Sequence, residues 1–447
     1  TTTIRRPQLC IIPEFLSDFP FILIVPKKVK KKERTEKEDE EKNPALQDFH
    51  REEGMADWSN LPEELLQLIA ERLRFTFYLL RFCSVCSSWR SSVSLHPNPL
   101  PARFPVFSNV GTSRDGTFCL SKRTLFLVYP PPSLSTSNSD HHPWLIKVED
   151  LRGQWGLREP LSRYPIKIPR DFPTVLDFYN LPVVELGQEY VLNDVDFSPL
   201  NSLEDASSLY LEKVVFMWLN SKSQEFALLT IHVSGKLALF KSGDKEWTII
   251  PEMPTPYDDV CVFQGQLYAV DSTGRTVVVG LDSGVRLVAE PVFGGDKKFL
   301  VESDGQLLLV DKYLSFDYQC LGAYDGFYDD VCFGCEQAVK FEVFKLDEEG
   351  KEWVELKSLG DRVVFLGDDC AFSSSASGLF VSEGNRIIFR DDYFNDTAKE
   401  DGLGVFELND DRISPISDYP GYCKLFWPPP DWLRLPRLRD QLEEQAM

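Results

Sequence analysis

Two rhythms of apolar and polar residues divide this chain. Between Leu61 and Val93 the apolar positions follow helical steps of three and four. Leu65, Ile69 and Leu73 recur at i, i+4 and i+8 with Leu66 alongside, while Gln67, Glu71 and Arg72 take the other face. The first helix opens at Leu61-Pro62, where Ser59 or Asn60 can cap the free amides and Glu63 and Glu64 sit at the positive end of the dipole. After a short connector around Arg74 to Thr76, Leu79, Phe82, Val85, Cys86, Trp89 and Val93 predict a second amphipathic helix, with Arg81, Ser84, Ser87, Ser88 and Arg90 between them. Two helices this short carry more apolar side chains than they can hide against each other, so the surplus needs a partner surface.

From about Phe104 the rhythm changes to short β-rich runs separated by Gly, Asp, Ser and Pro. The clearest strand candidates are Leu125–Tyr129, Val214–Trp218, Phe226–Val233, Lys236–Lys241, Gln266–Val270, Thr276–Leu281, Gln306–Val310, Val339–Leu346, Gly378–Ser382 and Arg386–Arg390. The run Val262 to Asp271, VFQGQLYAVD, is echoed by Glu302 to Asp311, ESDGQLLLVD, one step of 40 residues later. A weaker echo lies at Ser374 to Val381, and Lys-Glu-Trp occurs at 245–247 and again at 351–353. A period of about 40 residues with several strands per unit is the mark of a β-propeller, and six or seven blades fit the length. A pair of irregular β-sandwiches is the competing architecture.

Composition narrows this further. The 447 residues exceed one ordinary core, and 43% hydrophobic with 26% charged residues describes a globular protein. The net charge is −22. Residues 1–54 hold eleven basic and eleven acidic residues and residues 55–100 hold four of each, so the whole excess lies beyond residue 100. That argues against a nucleic-acid partner and makes a basic protein partner the easier one to accommodate. The ten cysteines are scattered, several in apolar runs, as expected of reduced thiols in the nucleus or cytoplasm. Cys83/Cys86 and Cys332/Cys335 form CxxC pairs, but they lie about 250 residues apart with no histidine nearby, so no metal or other cofactor is expected.

The first 54 residues read as a disordered leader or gene-model extension: Leu9 to Val25 is broken by Pro13, Glu14, Asp18 and Pro20 and does not suit a membrane span. The basic run Lys27 to Lys32 is a candidate nuclear import signal, and Met55 is a natural start.

The pattern LPxELL…L…VCxxWR, carried by Leu61, Pro62, Glu64, Leu65, Leu66, Val85, Cys86, Trp89 and Arg90, closely resembles the F-box, the module that docks on a Skp-type adaptor in cullin ubiquitin ligases. The resemblance implies that Leu61, Pro62, Leu66, Ile69, Leu80, Val85, Cys86 and Trp89 are adaptor contacts or their immediate support. The connector at Arg74-Phe75-Thr76-Phe77 departs from the Asp- or Pro-bearing turn of many F-boxes. Phe104 to Leu433, with Leu120-Ser121-Lys122 near its start and Pro420 to Trp432 (PGYCKLFWPPPDW) at its end, resembles the KIB-type propeller of plant F-box proteins. The expected organisation is α+β and multidomain: a leader over 1–54, a small helical F-box over 55–100, a mainly β domain with a six- or seven-bladed propeller over 101–433, and a tail over 434–447.

Catalytic chemistry is scarcely visible. There are five histidines, and no HExxH, GxSxG or GKS/GKT motif. The carboxylate pairs Asp258/Asp259, Asp329/Asp330, Asp368/Asp369 and Asp391/Asp392 stand at strand entries and read as turn caps. Tyr179, Tyr257, Tyr324, Tyr328 and Phe394 are candidate aromatics of a protein-binding face, with Tyr257, Tyr324 and Tyr328 taken as substrate contacts. The expected function is non-enzymatic: a receptor subunit that reaches cullin through the adaptor and presents a target protein. The alternatives are an F-box scaffold or inhibitor without ubiquitin transfer, and a propeller that binds or transforms a small molecule.

Overall fold

The structure is a computed structural model describing residues 61–72, 82–92, 104–108, 111–131, 142–151, 154–163, 165–166, 181–194, 211–220, 224–232, 235–250, 255–317, 335–391, 402–426 and 428–433. The leader over 1–54, Leu80, Cys332, Asp329/Asp330, Asp392, Tyr179, Tyr324, Tyr328, Phe394 and the tail over 434–447 lie outside them. Chain contacts divide the protein into a unit containing residues 1–97 and a larger one containing residues 98–173 and 181–447. Among the described residues no helix is long and apolar enough to cross a membrane.

In the smaller unit α1 (Glu63–Arg72) begins where expected, with the amides of Leu65 and Leu66 both donating to the Pro62 carbonyl at 3.1 Å. The second helix is not continuous. Residues 82–85 are helical, Cys86 is extended (φ −156°, ψ 179°), and α2 (Ser87–Ser91) starts afresh with Arg90 N donating to Cys86 O. Apolar periodicity runs through this break because it records which side chains pack, and Phe82, Cys83 and Trp89 still reach one small core.

The described strands of the larger unit form four mainly antiparallel sheets that divide into five blades. The first blade comprises β1 (Phe104–Ser108), β2 (Gly111–Val128), β3 (Trp144–Leu151), β4 (Gln154–Arg158) and β5 (Val183–Asp194), ordered β4-β3-β2-β5 with β1 also on β2. The second runs through β6 (Leu211–Asn220), β7 (Glu225–His232), β8 (Leu237–Lys241) and β9 (Thr248–Ile249), joined to the first by one bridge, Tyr190 with Val214. The third holds β10 (Tyr257–Phe263), β11 (Gln266–Asp271), β12 (Thr276–Val279) and β13 (Val285–Ala289), and the fourth holds β14 (Lys297–Ser303), β15 (Gln306–Asp317), β16 (Cys335–Asp347) and β17 (Glu352–Leu356). The fifth contains β18 (Arg362–Leu366), β19 (Ala371–Ser375), β20 (Arg386–Arg390), β21 (Leu403–Glu407) and β22 (Arg412–Pro415), ordered β19-β18-β20-β21-β22 with β18 and β20 parallel.

The strands β5, β6, β10, β14 and β19 neighbour one another in turn, and β19 returns to β5. The ring therefore closes with five blades among the described residues, where the repeat length led us to expect six or seven. The 40-residue step holds between the third and fourth blades, but the first blade alone extends from Phe104 to Asp194. The echo itself has a physical basis. Gln264-Gly265 (φ 48° and 72°) and Asp304-Gly305 (φ 52° and 72°) are two-residue hairpin turns with both central residues in the left-handed region, the type I′ geometry that suits twisted strands.

The weaker echo fails. Gly378 to Ser382 is no strand: Ser375 accepts a hydrogen bond from Gly378 N and caps α3 (Ala376–Leu379), which ends at Phe380 with φ 58°. The Lys-Glu-Trp repeats do correspond. Trp247 Nε1 donates to Pro105 O of the preceding blade at 2.7 Å, and Trp353 Nε1 donates to Gly274 O of its preceding blade at 3.2 Å. Closure is completed by α4 (Pro420–Cys423) and the residues after it: Tyr422, Leu425 and Phe426 are buried with Leu125, Leu127 and Leu145 of the first blade. There Leu145 N donates to Leu425 O at 2.7 Å, and Trp432 Nε1 to His142 O at 3.1 Å.

Candidate functional site

Among the described residues of the helical unit Leu66, Phe82 and Cys83 are buried, with Leu61, Ala70 and Trp89 packed around them and the rings of Phe82 and Trp89 4.4 Å apart. What remains is outside. Leu65 is 46% exposed, Leu68 53%, Ile69 38% and Val85 57%, and Pro62 is exposed as well. Alpha-helical geometry puts Leu65, Leu68 and Ile69 on adjoining turns of one face. Of the apolar positions Leu65, Leu66 and Ile69, Leu66 supplies the buried one, and Leu65 and Ile69 face solvent.

The residues expected to meet the adaptor thus fall into two groups. Pro62, Ile69 and Val85 present apolar surface, with Cys86 and Trp89 partly exposed, whereas Leu66 is 1% exposed and supports that surface from beneath. The spacing alone could not separate the two groups, because both are apolar at helical intervals. Leu65 and Leu68 were missed as candidate contacts, although the run Leu65-Leu66-Gln67-Leu68-Ile69 is too apolar for a helix with one buried side.

In the propeller, Tyr257 is 3% exposed and packs with Val260, Leu267 and Val277. Its assignment as a substrate contact is corrected: a ring closed into the core at the start of β10 offers nothing to a partner.

The aspartate pairs do more than cap turns. Asp258 Oδ2 accepts from Lys298 N (2.9 Å), and Asp259 Oδ2 accepts from Leu300 N (2.8 Å), both across to the next blade. Asp259 Oδ1 pairs with Lys213 of the preceding blade, so one carboxylate ties three blades. Asp391 Oδ2 accepts from Ala338 N at 2.8 Å, linking the fifth blade to the fourth. Asp369 pairs with Arg163 Nη2 at 2.7 Å and with Arg123 at 3.6 Å, linking the fifth blade to the first. Burial lifts Asp258 to about 6 despite its hydrogen bond from Lys298 N. Burial opposes ionisation of Glu149 too, but Arg123 and Arg158 outweigh it and hold that carboxyl below its usual range. Among the described residues no group of three or more His, Cys, Asp or Glu side chains is placed to hold a metal ion.

The five inner strands surround a cavity of about 510 Å³ whose wall includes Glu189, Tyr190, Lys213, Cys261, Arg362 and Ser373. Burial pushes the thiols of Cys261 and Cys370 above the ordinary range, which leaves both as un-ionised, unreactive groups.

Comparison with known proteins agrees with both units. The F-box domain family matches residues 58–100, and the KIB1-4 beta-propeller family matches residues 117–407. F-box protein SKIP23 of Arabidopsis thaliana is 43% identical over 401 residues, covering 85% of this chain and 96% of the relative. From the same organism, F-box protein At2g17036 is 34% identical over 391 residues (85% and 95% covered), and the putative F-box/kelch-repeat protein At5g24040 is 29% identical over 391 residues (85% and 99%). This chain belongs to the KIB1-4 beta-propeller family, with an F-box domain ahead of the propeller.

Proposed function

We propose that the protein is the substrate-recognition subunit of a Skp–cullin–F-box ubiquitin ligase, acting in the nucleus or cytoplasm. The observation that carries this reading is the apolar face of Leu65, Leu68, Ile69 and Val85, which stands exposed beside the buried Leu66, Phe82 and Cys83. Covering that face removes apolar surface from water, and the F-box family match points to a Skp-type adaptor as the cover. Leu61, Pro62, Ile69, Leu80, Val85, Cys86 and Trp89 form the contact, with Leu66 beneath.

The acidic propeller receives a target protein, for which Tyr324 and Tyr328 stay as proposed contacts and a basic surface is the expected complement. The subunit contributes no reacting group. By holding target and adaptor-bound cullin together, it raises the effective concentration of a target lysine near the conjugating enzyme.

The test is co-purification of the full chain with a Skp-type adaptor, beside the double variant Ile69→Ala, Val85→Ala. A stoichiometric complex that the variant loses, with the variant's melting temperature intact, supports the reading. Absence of a complex with any adaptor tested refutes it. Inhibition of a propeller partner without its ubiquitination would replace the ligase role with that of a scaffold.

A further inference from the structure

One aromatic side chain of the propeller is placed at a double cost. Phe380 ends α3 in the left-handed conformation (φ 58°), a position that glycine or asparagine fills with little strain. Its ring is also 63% exposed. A bulky residue held there is strained in its backbone and wet on its surface, and such strain concentrates where a contact depends on it.

Phe380 has apolar neighbours. The ring of Tyr129 lies 5.4 Å away, and Tyr129 Oη donates to Gly378 O at 2.8 Å. Val184 pairs with Leu127, two residues before Tyr129, so strand alternation puts Val184, Leu127 and Tyr129 on one face of the sheet. Leu127 and Tyr129 pack in the same core as Leu379 of α3, and Val184 is 39% exposed. Phe380 belongs to the fifth blade, whereas Tyr129 and Val184 belong to the first. The patch therefore straddles the seam at which the ring closes.

The chain passes this seam as it leaves the described residues. A Cβ at Gly421 would lie 3.7 Å from Val381 Cγ1, and eleven residues later Trp432 Nε1 donates to His142 O at 3.1 Å. Trp144 pairs with Val128, so His142 lies across from Pro130, next to Tyr129. One strand spacing and the reach from Tyr129 to Phe380 put Leu433 about 15 Å from the patch. About five residues of extended chain span that distance, and those that follow Leu433 are Arg434-Leu435-Pro436-Arg437-Leu438.

Residues 434–447 suit the patch in two respects. They carry Leu435, Leu438 and Leu442 for the apolar surface, and Arg434, Arg437 and Arg439 for its border. That border holds carboxylates: Asp361 accepts from Ser377 Oγ at 2.9 Å at the start of α3, and Glu383 follows its end, both exposed. The stretch from Pro132 to His141, nearer in sequence to Tyr129, has Leu134 as its one large apolar residue. We propose that residues 434–447 lie back over Phe380, Tyr129 and Val184, with Leu435 and Leu438 against the rings and the arginines toward Asp361 and Glu383. Covering the patch removes its apolar surface from water, offsets the strain at Phe380 and latches the fifth blade to the first. This latch is independent of the adaptor contact.

The experiment is photo-crosslinking of the full chain with p-benzoylphenylalanine in place of Phe380, read by mass spectrometry of the digest. Adducts within residues 434–447 of the same molecule are expected, and Leu435→Ser with Leu438→Ser should cut their yield at least fivefold. Adducts confined to other stretches, residues 132–141 or 167–180 included, adducts to a second copy, or no adduct at all would overturn the proposal. Thermal melts supply an independent arm. Phe380→Asn, which keeps the left-handed position accessible, and the Leu435→Ser, Leu438→Ser pair should each lower the melting temperature by about 2 °C, and the triple variant no further than either. Additive losses, or no loss in the leucine variant, would show that the tail and Phe380 do not meet.

Discussion

In the helical unit large apolar side chains stand in solvent, and in the propeller charged side chains stand in the core. Leu65, Leu68, Ile69 and Val85 are exposed around a nucleus of Leu66, Phe82 and Cys83. Lys147, Lys298, Asp311, Asp259 and Glu189 are each 3% exposed or less, inside the sheets. The exposed aromatics of the propeller, Phe293 at 78% and Phe380 at 63%, are separated onto different blades. The difference shows two uses of one physical asymmetry. Exposed apolar surface is favourable only once something covers it, so it specifies a partner. Buried charge is tolerable only when paired, so it specifies which blade sits beside which.

The largest effect expected from breaking this contrast is at Asp259. Asp259→Ala leaves Lys213 unpaired and strips an acceptor from Leu300 N and Val260 N. A loss of about 3–5 kcal/mol is expected in denaturant unfolding of the propeller. A loss under about 1 kcal/mol would show that the carboxylate does not tie the blades.

Next, Leu66→Ala should destabilise the helical unit by about 2–5 kcal/mol, seen as early loss of helical circular dichroism and as proteolysis before Phe104. Ile69→Ala and Val85→Ala, at exposed positions, should each change stability by no more than about 0.5 kcal/mol while weakening adaptor binding at least tenfold. Equal stability losses at all three sites would erase the distinction between support and contact.

The pH dependence is smaller. Asp258 is raised to about 6 and Glu185 to about 7 by burial, so both keep their protons to higher pH when folded than when unfolded. Folding then takes up protons between about pH 4 and pH 7, and stability falls as pH rises across that window. The Asp258 share is about 1–2 kcal/mol, less than the full shift because the side chain is only partly buried. Asp258→Asn, whose amide oxygen can still accept from Lys298 N, should flatten the decline in melting temperature between pH 4 and 6. An unchanged slope would remove Asp258 as its source. Glu149 works in the opposite sense: held low by Arg123 and Arg158, it contributes stability above its ordinary range that is lost as pH falls.

The smallest effect tests the hairpin echo. Gln264 occupies the first left-handed position of its turn, which Asn adopts more readily. Gln264→Asn should stabilise the propeller by a few tenths of a kcal/mol, whereas a turn of another type would be neutral or destabilised.

Much was legible along the chain because it depends on neighbours close in sequence. The first helix, its Pro62 entry, the paired GQLxxVD hairpins and the recurrent tryptophans all survive in the structure. Such patterns are local: a turn needs its two left-handed residues, and a strand needs its alternation. Other features required contacts that no local pattern encodes. Cys86 breaks its helix, Ser375 and Gly378 turn an expected strand into α3, and Tyr257 belongs to the core.

The sequence by itself determined the kinds of units, the F-box resemblance and the acidity of the larger one, because composition and short-range periodicity decide which faces can be buried. Only the tertiary structure decided which of Leu65 and Leu66 faces inward, that the described blades close as five, and that Asp259 and Asp369 join blades instead of capping turns. It also brought Glu189 and Arg362 into one cavity, although 173 positions separate them in the chain (362 − 189). Burial and charge pairing belong to residues that meet only when the ring closes, and the linear spacing of their codes carries no record of that meeting.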